Sequence, residues 1–178
     1  MSNVTALHAS TAAVDRRHRI ADALTAKPDG VVEAIARECG VSSREVLEAL
    51  PSDHRLLIPA EKFEAIWSEL TGWGEVLFIV HTADIVLECN GTLPMGSFGH
   101  GYFNIHGDSP IGGHIRAANC RAIFLVDRPF HGKRSCSVQF YNEAGEAMFK
   151  VFVRRNKARE LIPQQLALFE AMKARAAS

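Results

Sequence analysis

Residues 79–91 read IVHTADIVLECNG, residues 100–107 read HGYFNIHG, and residues 111–128 read IGGHIRAANCRAIFLVDR. Short apolar runs, rich in β-branched and aromatic residues, are cut by glycine, asparagine and aspartate. That is the pattern of half-buried strands. The intervals between runs are too short for crossover helices, so the strands are predicted to pair antiparallel. Four of the eight histidines (His81, His100, His106 and His114) lie here, with one of the two tyrosines, Tyr102. Imidazole and phenol groups set in a β-rich apolar scaffold are the unusual feature of the chain.

Working outward, residues 76–80 form an unbroken apolar run, and residues 85–89 alternate before Asn90-Gly91, which reads as a turn. Further strands are predicted at 102–106, 114–118, 122–127, 134–140 and 147–154. Asn142-Glu143-Ala144-Gly145 joins the last two as a hairpin. Upstream, residues 1–14 are small, polar and aperiodic and are predicted to be a flexible tail. A helix over 16–27 ends at Pro28-Asp29-Gly30, and a second over 31–39 ends at Gly40. Ser42 and Glu45 have the spacing of a capping box and open a third helix to Leu50. A fourth helix starts near Pro59, buries Phe63, Ile66, Trp67 and Leu70 at helical spacing, and stops at Gly72-Trp73-Gly74. Residues 157–176 close the chain as a helix with Ile162, Leu166 and Phe169 on one face, and Pro163 in its first turns. The expected fold is α+β: a large antiparallel sheet with an N-terminal helical segment and a C-terminal helix packed on it. A single domain is expected over 15–178, helical over 15–74, sheet over 75–155 and helix over 156–178.

The 178 residues carry twenty basic and twenty acidic side chains. No global field therefore draws the chain to nucleic acid or an anionic membrane. The two helices around Gly40 have the outline of a helix-turn-helix, but the reading helix would carry Glu45 and Glu48 against one arginine, and phosphate would repel it. No run reaches the roughly 18 apolar residues of a membrane span, and the N-terminus does not read as a secretory signal. The four cysteines lack C-x-x-C spacing and are expected to be reduced thiols of a cytoplasmic protein.

Strand alternation puts Tyr102, Asn104 and His106 on one face of their strand, and His114 and Arg116 on one face of theirs. Two neighbouring strands thus each present a possible iron ligand. Gly112-Gly113 leaves room for a flat ligand to approach the backbone. A strand histidine is ordinarily a hydrogen-bonded structural residue, and Tyr102 alone reads equally as a half-buried aromatic. No zincin, facial-triad, nucleophile-elbow, P-loop or dinucleotide pattern is present.

Four longer motifs decide among these readings: VHTADIVLE from Val80, LPMGSFGHGYFNIHG from Leu93, GGHIRAANC from Gly112 and EAGEAMFKVFV from Glu143. Together with PDG (28–30), EVLEALP (45–51) and WGEV (73–76), in this order, they resemble the HutX/ChuX family of intracellular haem-utilisation proteins. The resemblance covers the chain from about Asp15 onward. It implies half of a HemS-like architecture, pairing of two chains into a homodimer, and haem bound as cargo in the cytoplasm, then passed to a haem-degrading enzyme. It also implies that His81, Tyr102 and His114 contact haem, as candidate axial ligands. Arg116 and Lys150 are added from strand phase and charge as partners for the propionates. A carrier with no catalytic residue is expected, with haem degradation as the alternative and DNA regulation as a remoter one.

Overall fold

The computed structural model describes residues 2–177. Helix α1 (Ser2–Ala26) takes in most of the segment expected as a tail, so the first helix begins well before Arg16. It is followed by α2 (Val32–Cys39) and α3 (Ser43–Glu48). Gly40, at φ 64°, closes α2 in the left-handed conformation that glycine accepts without strain. Ser42 and Glu45 form the predicted capping box: the Glu45 backbone N–H donates to Ser42 Oγ, and the Ser42 N–H donates to Glu45 Oε2 at 2.9 Å. That backbone donor holds the Glu45 carboxyl below its usual range.

A strand not anticipated from the sequence, β1 (Arg55–Ile58), precedes a 3₁₀ turn and α4 (Phe63–Thr71), whose buried residues are the four predicted. Then come β2 (Glu75–His81), β3 (Val86–Thr92), β4 (Gly96–Gly99), β5 (Tyr102–Ile105), β6 (Gly113–Ile115), β7 (Cys120–Phe130), β8 (Lys133–Asn142) and β9 (Ala147–Phe152). Every pairing is antiparallel. There are two sheets instead of one meander: six strands in the order β1-β7-β8-β9-β2-β3, and three in the order β4-β5-β6. Asn90-Gly91 is not a turn. Both residues lie inside β3, paired with Leu77 and Val76. Gly91 is needed there for contact, since a Cβ would meet the Pro110 ring at 2.9 Å. The closing helix α5 (Pro163–Ala177) starts six residues later than predicted, at the proline whose fixed φ and missing N–H suit a first turn.

The large sheet has two unlike faces. One carries Val76, Ile123, Leu125, Val138, Phe140, Phe149 and Val151 into the main core, under α4, α5 and the small sheet. Phe63, Trp67, Phe103, Phe140 and Phe149 pack there with ring centroids 4.3–6.5 Å apart, mostly edge to face. The small sheet is tied down by Trp67, whose Nε1 donates to the Pro94 carbonyl at 2.9 Å. The opposite face carries Ala122, Phe124, Val126 and Tyr141 into a second core with Ile20, Ile35, Val46 and Leu47 of the N-terminal helices. Those helices cover only part of that face. The remainder, toward β9, β2 and β3, lines an open cavity.

Candidate functional site

The cavity has a volume of about 690 Å³ and is walled by alternate residues of five strands, β7 contributing Val126, Arg128 and Phe130. Val138 and Phe140 face the main core, so Ser137 and Gln139 face the cavity. By the same alternation β9 presents Lys150 and Phe152, β2 presents Leu77, Ile79 and His81, and β3 presents Val86 and Glu88. The loop before α2 and its first turn, residues 30–33, close one side. That loop is pinned by Arg128 of β7, whose guanidinium donates to the Pro28 and Gly30 carbonyls at 2.7 and 2.8 Å. Burial pushes the Arg128 pKa down, and its Nε has no hydrogen-bond partner.

Two buried ionisable groups, Glu33 and Lys150, meet the half-buried His81 at the edge of the cavity. The Glu33 carboxylate takes the Lys150 ammonium on Oε1 and lies 3.4 Å from His81 Nδ1 through Oε2. Beside them Tyr141 donates to Gln139 at 2.8 Å and Gln139 to Ser137 at 2.9 Å. Burial holds the Tyr141 phenol far above its usual range. Four cations also line the cavity, Lys133 and Arg159 exposed and Arg154 and Arg155 half-buried, beside the exposed carboxylate Glu88.

Of the five residues singled out in the sequence, His81 and Lys150 line this cavity. Tyr102, His114 and Arg116 stand together elsewhere, on the small sheet. Asn104 pairs with His114 in register, and Asn104 Oδ1 lies 2.7 Å from His114 Nδ1. Arg116 donates to the Tyr102 hydroxyl at 2.9 Å and lies 5.0 Å from its ring centre. His106 packs edge-on to His114 at 5.7 Å, so it belongs to this group, whereas His100 occupies a turn at φ 52°. Tyr102 and Asn104 lie in β5 as expected, but Arg116 stands past the end of β6, where a 3₁₀ turn over Ala117–Asn119 replaces the expected strand to 118, and the five residues fall into two clusters. Lys150 is already matched by Glu33, which leaves Arg116 as the more accessible cation. Glu33 itself was missed. Its signal was a carboxylate three residues before Ala36, at the buried phase of α2.

Among the described residues no three His, Cys, Asp or Glu side chains converge to hold a bare ion. The donors come singly or in pairs. That suits an iron bringing four ring nitrogens with it, and the apolar wall beside His81 suits a flat macrocycle.

Residues 56–172 match the family model described as haem utilisation ChuX/HutX. The chain belongs to the ChuX/HutX family. It is 31% identical over 157 residues to the intracellular heme transport protein HutX of Vibrio cholerae, a match covering 88% of this chain and 81% of that protein. The crystal structure of protein AGR_C_4470 from Agrobacterium tumefaciens is 53% identical, covers 98% of this chain and 96% of its own, and superposes with a TM-score of 0.87. The structure of the heme-binding protein ChuX is 37% identical over 89% of this chain and 99% of its own, with a TM-score of 0.81. As a ChuX/HutX member the chain keeps its candidate ligands inside the matched segment, whereas Glu33 lies before it.

Proposed function

We propose that this protein binds one haem per chain as cargo, in the cytoplasm, and passes it to a haem-degrading enzyme. The observation that carries this reading is the cavity: apolar Leu77, Ile79, Val86 and Phe152, the His81 imidazole at its edge, and cations among its lining. Leu77, Ile79, Val86 and Phe152 would cover a porphyrin face, His81 would ligate iron, and the arginines would meet propionates. Tyr102, with the Arg116 guanidinium beside its oxygen, supplies the anionic type of ligand that favours ferric iron. The relatives' names for haem transport and haem binding support the same cargo. The carrier reading follows from an open site with few iron donors, which favours release.

Tyr102, His114 and Arg116 are not among the residues that line the His81 cavity. A homodimer would let His81 of one chain and the small sheet of another serve one cargo. The free edge of the large sheet favours such pairing, because β3 exposes Val86 and Leu87, at 53% and 55%, next to Ile85. Sedimentation of the apo-protein and the haem-loaded protein tests this, and a monomer in both states defeats it.

Titration with ferric haem should give a Soret shift that saturates near one equivalent per chain, and His81→Ala, Tyr102→Phe or His114→Ala should alter that band. A wild-type titration with no shift overturns the haem reading. Ascorbate under oxygen separates carrier from enzyme: a carrier keeps its Soret band, whereas biliverdin-like absorbance with released iron means degradation.

A further inference from the structure

Glu33 is the residue that joins two of the candidate haem contacts, and it comes from the helical segment outside the matched family region. Its own side chain is 11% exposed, Lys150 is 7% and His81 is 14%. All three line the cavity. Resting on the haem reading above, we propose that Glu33 is a positioning residue: held by Lys150, its carboxylate fixes the His81 ring with the proton on Nδ1 and leaves Nε2 as the nitrogen offered to iron.

The chemistry follows from the contacts. His81 Nδ1 stands 3.4 Å from Glu33 Oε2, and because an ionised carboxylate only accepts hydrogen bonds, an Nδ1 drawn onto that oxygen would carry the proton. The Lys150 ammonium sits on the other oxygen, so the carboxylate is paired in its buried place. Neutral imidazole has one protonated nitrogen, so Nε2 keeps its lone pair. A carboxylate behind an iron-binding histidine also raises the basicity of the ligand and stops the ring from turning.

A purely structural role for the ion pair is the competing account. A buried pair alone is weak support for a fold, and an apolar pair of similar volume generally serves stability as well or better. Helix α2 is already docked by Val32, Ile35 and Ala36, and its leading loop by Arg128. What an apolar pair could not supply is an acceptor for His81.

The test uses full-length protein. Glu33→Met/Lys150→Met removes both charges together, so that neither is left buried alone. ¹⁵N NMR of the apo-protein at pH 8 reads the His81 tautomer without any cargo. Wild type is expected to show Nδ1–H, and the double variant to show the Nε2–H form that water favours. With hemin as the probe, haem loss to a scavenger is expected to speed up about 10- to 100-fold in the double variant. The iron–imidazole stretch of the reduced complex should fall. In a His81→Ala background the same double substitution should change neither the loss rate nor the stretching spectrum. Nε2–H in wild type, or equal effects with and without His81, overturns the positioning role. If wild type gives no Soret shift with hemin, the haem reading falls and takes the iron-directed role with it. The tautomer measurement still reports whether Glu33 holds the ring, so the two failures are told apart.

Discussion

Gly96 lies so close to Phe103 that a Cβ on it would sit 2.1 Å from the ring's Cε1. Phe103 is 1% exposed and wedged among Phe63, Trp67 and Phe98, so it has nowhere to go. Gly96→Ala should therefore cost about 1–3 kcal/mol in urea unfolding, the cost of overpacking a close-packed core. Asp127 gives a residue-scale pH effect. Burial pushes its carboxyl up, but the hydrogen bonds and charge of Arg134, with the charge of Lys173, outweigh burial and leave it below the usual range. A depressed carboxyl stabilises the fold above its unfolded value, near pH 4, and loses that contribution as pH falls through the folded value. Acid unfolding followed by circular dichroism should accordingly be less steep in Asp127→Asn. The contrast between sites is instructive. Tyr102, Asn104 and His106 were legible as one face because alternation is local. Glu33 and Lys150 are 117 residues apart, and no local period reports a contact that only the folded sheet creates.

Among elements, the α3 cap was legible because both partners lie within four residues. Ser42→Ala should cost about 1 kcal/mol, measured by thermal unfolding. The cap also meets the β8–β9 hairpin: the Arg44 N–H donates to the Gly145 carbonyl at 3.0 Å, and Gly145 turns at φ 76°. Helix α5 is fastened through Gln165, whose Nε2 donates to the Trp73 and Glu75 carbonyls at 2.9 and 2.6 Å and whose Oε1 accepts from the Arg154 N–H at 2.8 Å. Gln165→Leu strands three backbone groups and should cost at least about 2 kcal/mol in denaturant unfolding. That fastening was not readable from the sequence. The spacing of Ile162, Leu166 and Phe169 predicts one apolar face, of which Phe169 is buried and Leu166 packs partly buried on the main core, whereas Gln165 and Met172 complete the buried set. A buried glutamine satisfied by distant carbonyls looks polar and exposed in a hydropathy pattern. Asn90-Gly91 misled for a related reason: its glycine answers to Pro110, nineteen positions on, and not to a local turn.

At the scale of the whole molecule, composition and periodicity carried the α+β class, and the motif order carried the family. The division into two sheets was hidden because β4 is four residues of glycine, serine and phenylalanine with no alternation to detect. High pH should test both cores together. Cys136, on the main-core side, is pushed up to about 12 by burial and by Asp127, and Tyr141, on the other side, is raised by burial. A raised thiol or phenol stabilises the fold below its unfolded value and loses that contribution as pH rises through the folded one. Stability should fall from about pH 9 upward, and Cys136→Ala should flatten part of that limb in urea titrations at stepped pH. Cys39, Cys120 and Cys136 are buried, Cys89 is partly so, and no cysteine lines the cavity. Iron held there would meet no thiolate to oxidise or to be captured by. Repeated loading at that cavity would then leave the free-thiol count unchanged.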